Sequence, residues 1–186
     1  MTSSQVVLKL VLDAIDQPLE LDAFEKRLKL QKRIYLTQLT GLDLGYRFSW
    51  YLHGPYCREL TSDAFRLQEL ARDGVRGVEG KTLNAIARRL ASSATSIWCD
   101  APAGMGDDDW LELLASLHYL KHISYWPSDQ PRGFDAVFEA LVDSKPRFKA
   151  RRDDAQRAWQ RLEKVGLTDQ KVLCGSEPNQ GSRAIG

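Results

Sequence analysis

Tyr46-Arg47-Phe48-Ser49-Trp50-Tyr51-Leu52-His53, followed by Gly54-Pro55, is the stretch on which the fold turns. Its period is two. Tyr46, Phe48, Trp50 and Leu52 fall on one side, and Arg47, Ser49, Tyr51 and His53 on the other, which predicts a half-buried strand. Gly54-Pro55 is expected to end it. The rest of the chain carries helical spacing, so the expected class is mainly α with a small β element.

Upstream, Phe24, Leu28, Tyr35 and Leu39 lie near one stripe with Leu30 and Ile34, predicting a helix over 22–40 that Gly41 closes. A first helix is expected over 4–15, capped by Ser4 and ended by Pro18. Downstream, helices are expected over 57–72 and around Leu83–Leu90. After the breaker at 102–106, Asp107, Asp108 and Asp109 stand where carboxylates oppose the positive end of a helix dipole, and that helix runs to about Ser124. Pro127 and Pro131 bracket a loop. A short helix then holds Phe134 to Leu141, and Ser144-Lys145-Pro146 opens the last helix, with Pro146 near its first turn. The expected organisation is one domain over 1–167 and a flexible tail over 168–186.

A net formal charge of +1 over 186 residues gives no global pull toward nucleic acid or membrane, so a nucleic-acid role needs a local basic face. The cysteines, Cys57, Cys99 and Cys174, are odd in number and widely spaced, which is no disulfide framework and suits a reducing cytoplasm. The N-terminal apolar stretch is interrupted by Lys9, Asp13 and Asp16, so neither a signal peptide nor a membrane span is expected.

Catalytic and metal chemistry finds little material. His118 and His122 are four apart on a predicted helix, the spacing of a zinc pair, but Tyr119 stands where a metalloprotease needs Glu and no third ligand is near. The plainer expectation is two partly exposed histidines. Cys57 begins a helix after a Gly-Pro turn, with His53 as the one near base; a semi-buried structural cysteine is the simpler reading. The glycines at 74, 77 and 80 lack phosphate-loop spacing before Lys81. The expectation is no enzyme, no cofactor and no metal. Two basic clusters remain: Lys26, Arg27, Lys29, Lys32 and Arg33, and Lys145, Arg147, Lys149, Arg151, Arg152, Arg157 and Arg161.

Three segments carry a family resemblance: Lys29-Leu30-Gln31-Lys32-Arg33-Ile34-Tyr35-Leu36; Phe48 to Tyr56 with Glu59-Leu60; and, more weakly, Trp110 to Leu120. The first two resemble the prokaryotic YwgA-like family and are more distantly similar to the Panacea domain, the SocA-like antitoxin domain. In both, a helix reading K-L-Q-K-hydrophobic-hydrophobic-Y precedes an aromatic strand ending in G-P. The resemblance is dense over about 28–60 and looser to about 165. It implies a helical fold with winged-helix character and no known catalytic residues. It also implies a role in binding other proteins, as an antitoxin or proteolysis adaptor, often in mobile or defence loci.

The expected function is therefore a non-enzymatic protein-interaction module, a regulator, antitoxin or adaptor for a toxin, protease or defence-complex subunit. Lys29, Arg33, Tyr51, His53, Tyr56 and Arg58 are its candidate partner-binding residues, because exposed aromatics beside arginine anchor interfaces. The alternative is a winged-helix DNA-binding regulator that places Lys145, Arg147, Arg151 and Arg152 on nucleic acid. A homodimer is compatible with either. Within the motif, Gln31 is expected to satisfy backbone near Gly54-Pro55. The helix bearing it is expected to pack on the Phe48 and Trp50 face.

Overall fold

A capping box starts the first helix, α1 (Ser3–Ala14). The Thr2 hydroxyl accepts from the Gln5 N–H at 3.3 Å, and Gln5 Oε1 accepts from the Thr2 N–H at 3.0 Å. The cap is thus Thr2 rather than Ser4, because the glutamine needed to return the bond lies three residues after Thr2. In the computed structural model, which describes residues 1–74, 78–125 and 132–168, the later elements follow in order. They are α2 (Phe24–Gln38), β1 (Ser49–Tyr51), β2 (Gly54–Tyr56), α3 (Arg58–Arg72), α4 (Ala85–Trp98), α5 (Asp107–His122), α6 (Phe134–Ser144), a 3-10 helix (Pro146–Arg151) and α7 (Arg152–Lys164). This is a mainly α chain with one small two-stranded sheet, as its periodicities predict. The expected tail lies outside the described residues, Thr168 excepted, as do Pro127 and Pro131.

The strand is shorter than its alternation suggests. Pairing stops at Tyr51, the chain turns at Leu52-His53, and Gly54-Pro55-Tyr56 returns as β2. Gly54 takes a positive φ of 85°, open to glycine at no steric cost, and this lets so short a loop close. Pro55 is tolerated because both strands of a two-stranded sheet are edges. Gly54-Pro55 therefore begins a strand instead of ending one.

The chain, expected as one domain over 1–167, packs as two compact units. Residues 1–49 and 56–95 form the first. Trp50–Pro55, the tip of the hairpin, clusters with the described residues between Ser96 and Thr168 in the second.

In the first unit α3 packs on α1 and α2. Its core includes Val11, Leu12, Leu30, Ile34, Leu60 and Ala64. The Tyr35 ring meets Phe48 edge-on at 5.1 Å, so α2 does pack on the Phe48 side. Polar side chains complete the unit. Gln38 Nε2 donates to the Tyr46 carbonyl at 2.9 Å, and Gln38 Oε1 accepts from the N–H groups of Leu44 and Tyr46. Asp63 accepts from the Gln5 amide at 3.0 Å and from the Tyr46 hydroxyl at 2.9 Å.

In the second unit α5 is buried all round from Trp110 to Leu120, as a helix at the centre of a core must be, and α6 and α7 pack on it. Asp107, Asp108 and Asp109 form its first turn, where the sequence places them. The last helix differs from expectation. Pro146 opens a 3-10 helix, and α7 begins only at Arg152. Among the described residues, no helix is long and apolar enough to cross a membrane.

Candidate functional site

The hairpin tip presents two large side chains to solvent. Tyr51 is 65% exposed and Leu52 is 74% exposed. Both side chains stand mostly in solvent, side by side in the chain at the tip.

Beneath the tip lies a buried charge cluster built by α5 and the turn before the 3-10 helix. Glu112, on α5, is almost fully enclosed, and Lys145 is 5% exposed. Lys145 Nζ lies 2.6 Å from Glu112 Oε1 and donates at 3.1 Å to the Leu52 carbonyl. The same ammonium sits 5.2 Å from the centre of the Trp50 ring, and Trp50 packs on Tyr119 of α5 at 5.5 Å. The second oxygen of Glu112 takes Arg147 at 2.9 Å, and His53 Nδ1 lies 3.8 Å away. Burial pushes the Lys145 ammonium below its ordinary range, and the adjacent Glu112 works against that push. One carboxylate thus holds the turn, the aromatic stem and the cations together.

The ion network continues outward. Asp109 accepts from Arg147 at 2.7 Å and from Arg151 at 3.1 Å, Arg151 also reaches Asp154 at 3.0 Å, and Arg152 pairs with Asp135. Arg152 also stacks over Phe134 and Phe138. These are the four residues of the nucleic-acid alternative. Lys145 differs from a solvated basic residue: it is enclosed on Glu112 and the Leu52 carbonyl. The three arginines are each committed to a carboxylate.

The partner-binding candidates divide between the units. Tyr51 and His53 belong to the second, with His53 half-buried against Glu112 and Tyr51 exposed. Lys29, Arg33, Tyr56 and Arg58 belong to the first, where Arg58 is exposed and the other three are partly covered. Leu52, Glu112 and the buried role of Lys145 escaped the sequence reading. The signal for Leu52 was present in the Leu52-His53-Gly54 run, which reads as a turn once Gly54 is assigned a positive φ.

Other candidates fall into structural places. Gln31, fully buried, accepts from the Cys57 N–H at 2.9 Å and donates to the Cys57 carbonyl at 2.8 Å and to the Thr61 hydroxyl at 2.8 Å. Gln31 was expected to satisfy backbone near Gly54-Pro55; it does so at Cys57, two residues past Pro55. Its companion Trp50 packs on Tyr119 of α5. Cys57 is buried, and burial raises its thiol, the reverse of an activated nucleophile.

His118 is not partly exposed as expected but fully buried, with its ring 4.7 Å from that of His122. Burial first, then the charges of His122 and Lys121, push it down to about 3, so it is neutral in the fold. His122 meets the Leu167 carbonyl at 2.8 Å. Among the described residues no group of three or more His, Cys, Asp or Glu is placed to hold a metal ion. Lys32, read as part of a basic surface, is only 2% exposed.

Comparisons with family models, curated proteins and solved structures return no match for this chain.

Proposed function

We propose that the chain is a cytoplasmic, non-enzymatic protein-interaction module that docks a partner through its hairpin tip. The observation that carries this reading is the exposure of Tyr51 and Leu52 on a turn whose backbone is anchored by Lys145. Anchoring matters because an interface residue already held in place loses less conformational freedom on binding. Tyrosine is enriched among residues that dominate binding energy, and the adjacent leucine widens the apolar contact.

The family resemblance supports the same reading, since it implies a regulator, antitoxin or adaptor of the YwgA-like or Panacea-like kind. The DNA-binding alternative is weakened: Lys145 is enclosed, and releasing Arg147, Arg151 and Arg152 to phosphates would break pairs with Asp109, Asp135, Asp154 and Glu112.

The test is capture from host lysate with the tagged full-length chain, its Leu52→Asp variant and an Ile86→Asp control, each with and without nuclease. Ile86 is also a large exposed apolar residue, on α4. A nuclease-resistant protein held by the parent and by Ile86→Asp, but lost from Leu52→Asp, is the expected result. Recovery of nucleic acid alone, or the same proteins on all three baits, would refute the reading.

A further inference from the structure

A groove of about 620 Å³ lies along α7, away from the hairpin tip and independent of the reading above. Arg157, Gln160, Arg161 and Lys164 line one side at spacings of three, one and three residues, so one helix face delivers all four. Asp100 faces them, and Pro102 and Ala103 supply an apolar wall. The charges are three cations and one carboxylate, a net +2.

The donors in this groove are not used up. Arg161 spends two bonds, both from Nη2, on the Cys99 carbonyl at 2.8 Å and on Asp100 at 3.0 Å, which fixes its guanidinium in place. A guanidinium has five N–H donors, so most of its capacity remains. Arg157 makes one long contact of 3.5 Å with Asp154. Among the described residues, the side chains of Gln160 and Lys164 make no hydrogen bond, and Lys164 acts on Asp100 through space.

The helix dipole favours Arg161 and Lys164 in the last turn of α7. It gives no reason for Arg157 and Gln160, further up the helix, to open on the same groove. Asp100 also holds a positive φ of 61°, a conformation that asparagine and aspartate tolerate better than most residues, and Arg161 steadies it there.

We infer that this groove binds a small organic molecule through a phosphate group. A phosphate dianion matches the net charge, and its terminal oxygens can accept from several donors at once, with a guanidinium fork among them. The groove lies in the size range of small-molecule sites, larger than phosphate alone requires, and Pro102 and Ala103 offer contact to the organic part.

The experiment is calorimetric titration of the full-length chain with inorganic pyrophosphate and with a nucleoside diphosphate at fixed ionic strength. Lys164→Glu and Arg157→Glu are compared with Arg89→Glu, an equal charge change at an exposed position of α4 outside the groove. Saturable binding by the parent, weakened about tenfold or more in both groove variants and unchanged in Arg89→Glu, is expected. No saturable binding of either probe overturns the inference, as does equal weakening in Arg89→Glu. A short DNA duplex displacing pyrophosphate at lower concentration would overturn the small-molecule assignment in favour of nucleic acid.

Discussion

Two clamps hold the chain, one at the Leu52-His53 turn and one after the hairpin, and they are made of different chemistry. After the hairpin, in the first unit, the neutral amide of Gln31 bonds both backbone groups of Cys57. At the tip, in the second unit, the Lys145 ammonium holds the Leu52 carbonyl and is itself held by Glu112. A neutral clamp in a dry site is satisfied at any ordinary pH. A charged clamp depends on its counter-ion, because a buried ion without a partner is far more costly than a buried amide. The contrast places the sensitive element where Tyr51 and Leu52 are displayed.

The largest effect is expected where the counter-ion is removed. Glu112→Gln leaves Lys145 enclosed beside Arg147 with no carboxylate between them, and should destabilise by about 3–5 kcal/mol in urea unfolding. A loss under about 1 kcal/mol would show that the pair is not buried in solution. Gln31→Leu, the matching break in the neutral clamp, should be milder, about 2–3 kcal/mol. It strands the Cys57 N–H, while the Cys57 carbonyl keeps the Thr61 N–H at 3.3 Å. Equal losses from the two variants would erase the distinction.

Trp50→Ala removes the stem on which Lys145 and Tyr119 rest. The ring is only half-buried, so about 2 kcal/mol is expected by unfolding midpoint, below the 3–5 kcal/mol that full burial would imply.

The smallest effect per step is the acid dependence of the second unit. In the unfolded chain His118 takes up a proton near its ordinary value of 6.5; in the fold it does so only at about 3. The unfolded state therefore binds more protons across that window, and stability falls as pH drops from about 6.5 toward 3. His118 contributes up to about 1.4 kcal/mol per pH unit there. Urea midpoints of the parent and His118→Gln between pH 7 and pH 4 check this. The variant should lose less stability on acidification, and parallel curves would contradict the assignment.

The same contrast marks what could be read before the structure. The Gln31 clamp was legible because a turn strands backbone groups and a glutamine on the preceding helix is within reach. Gln38, which does the same for Leu44 and Tyr46, left no comparable mark, since the alternation puts Tyr46 in a strand, where its backbone needs no side chain. The helices were legible from apolar spacing and from the Asp107–Asp109 start. The charged clamp was not. Glu112 and Lys145 are 33 residues apart, and each stands among other charges that read as solvated helix faces. Lys32 failed for the same reason, because a lysine in a basic run carries no local sign that it is enclosed. Leu52 was misassigned because strict alternation continues across the turn, and only the conformation of Gly54 ends it.

In the proposed function, the charged clamp presents the hairpin tip for docking. The most direct measurement repeats the lysate capture with Lys145→Met, which leaves Tyr51 and Leu52 chemically intact and keeps Arg147 on Glu112, with far-UV circular dichroism to confirm the fold. The folded variant is expected to lose most of the nuclease-resistant partner, as Leu52→Asp does. Capture at the parent level by Lys145→Met, with loss in Leu52→Asp, would contradict it and leave the tip as a docking element that needs no clamp.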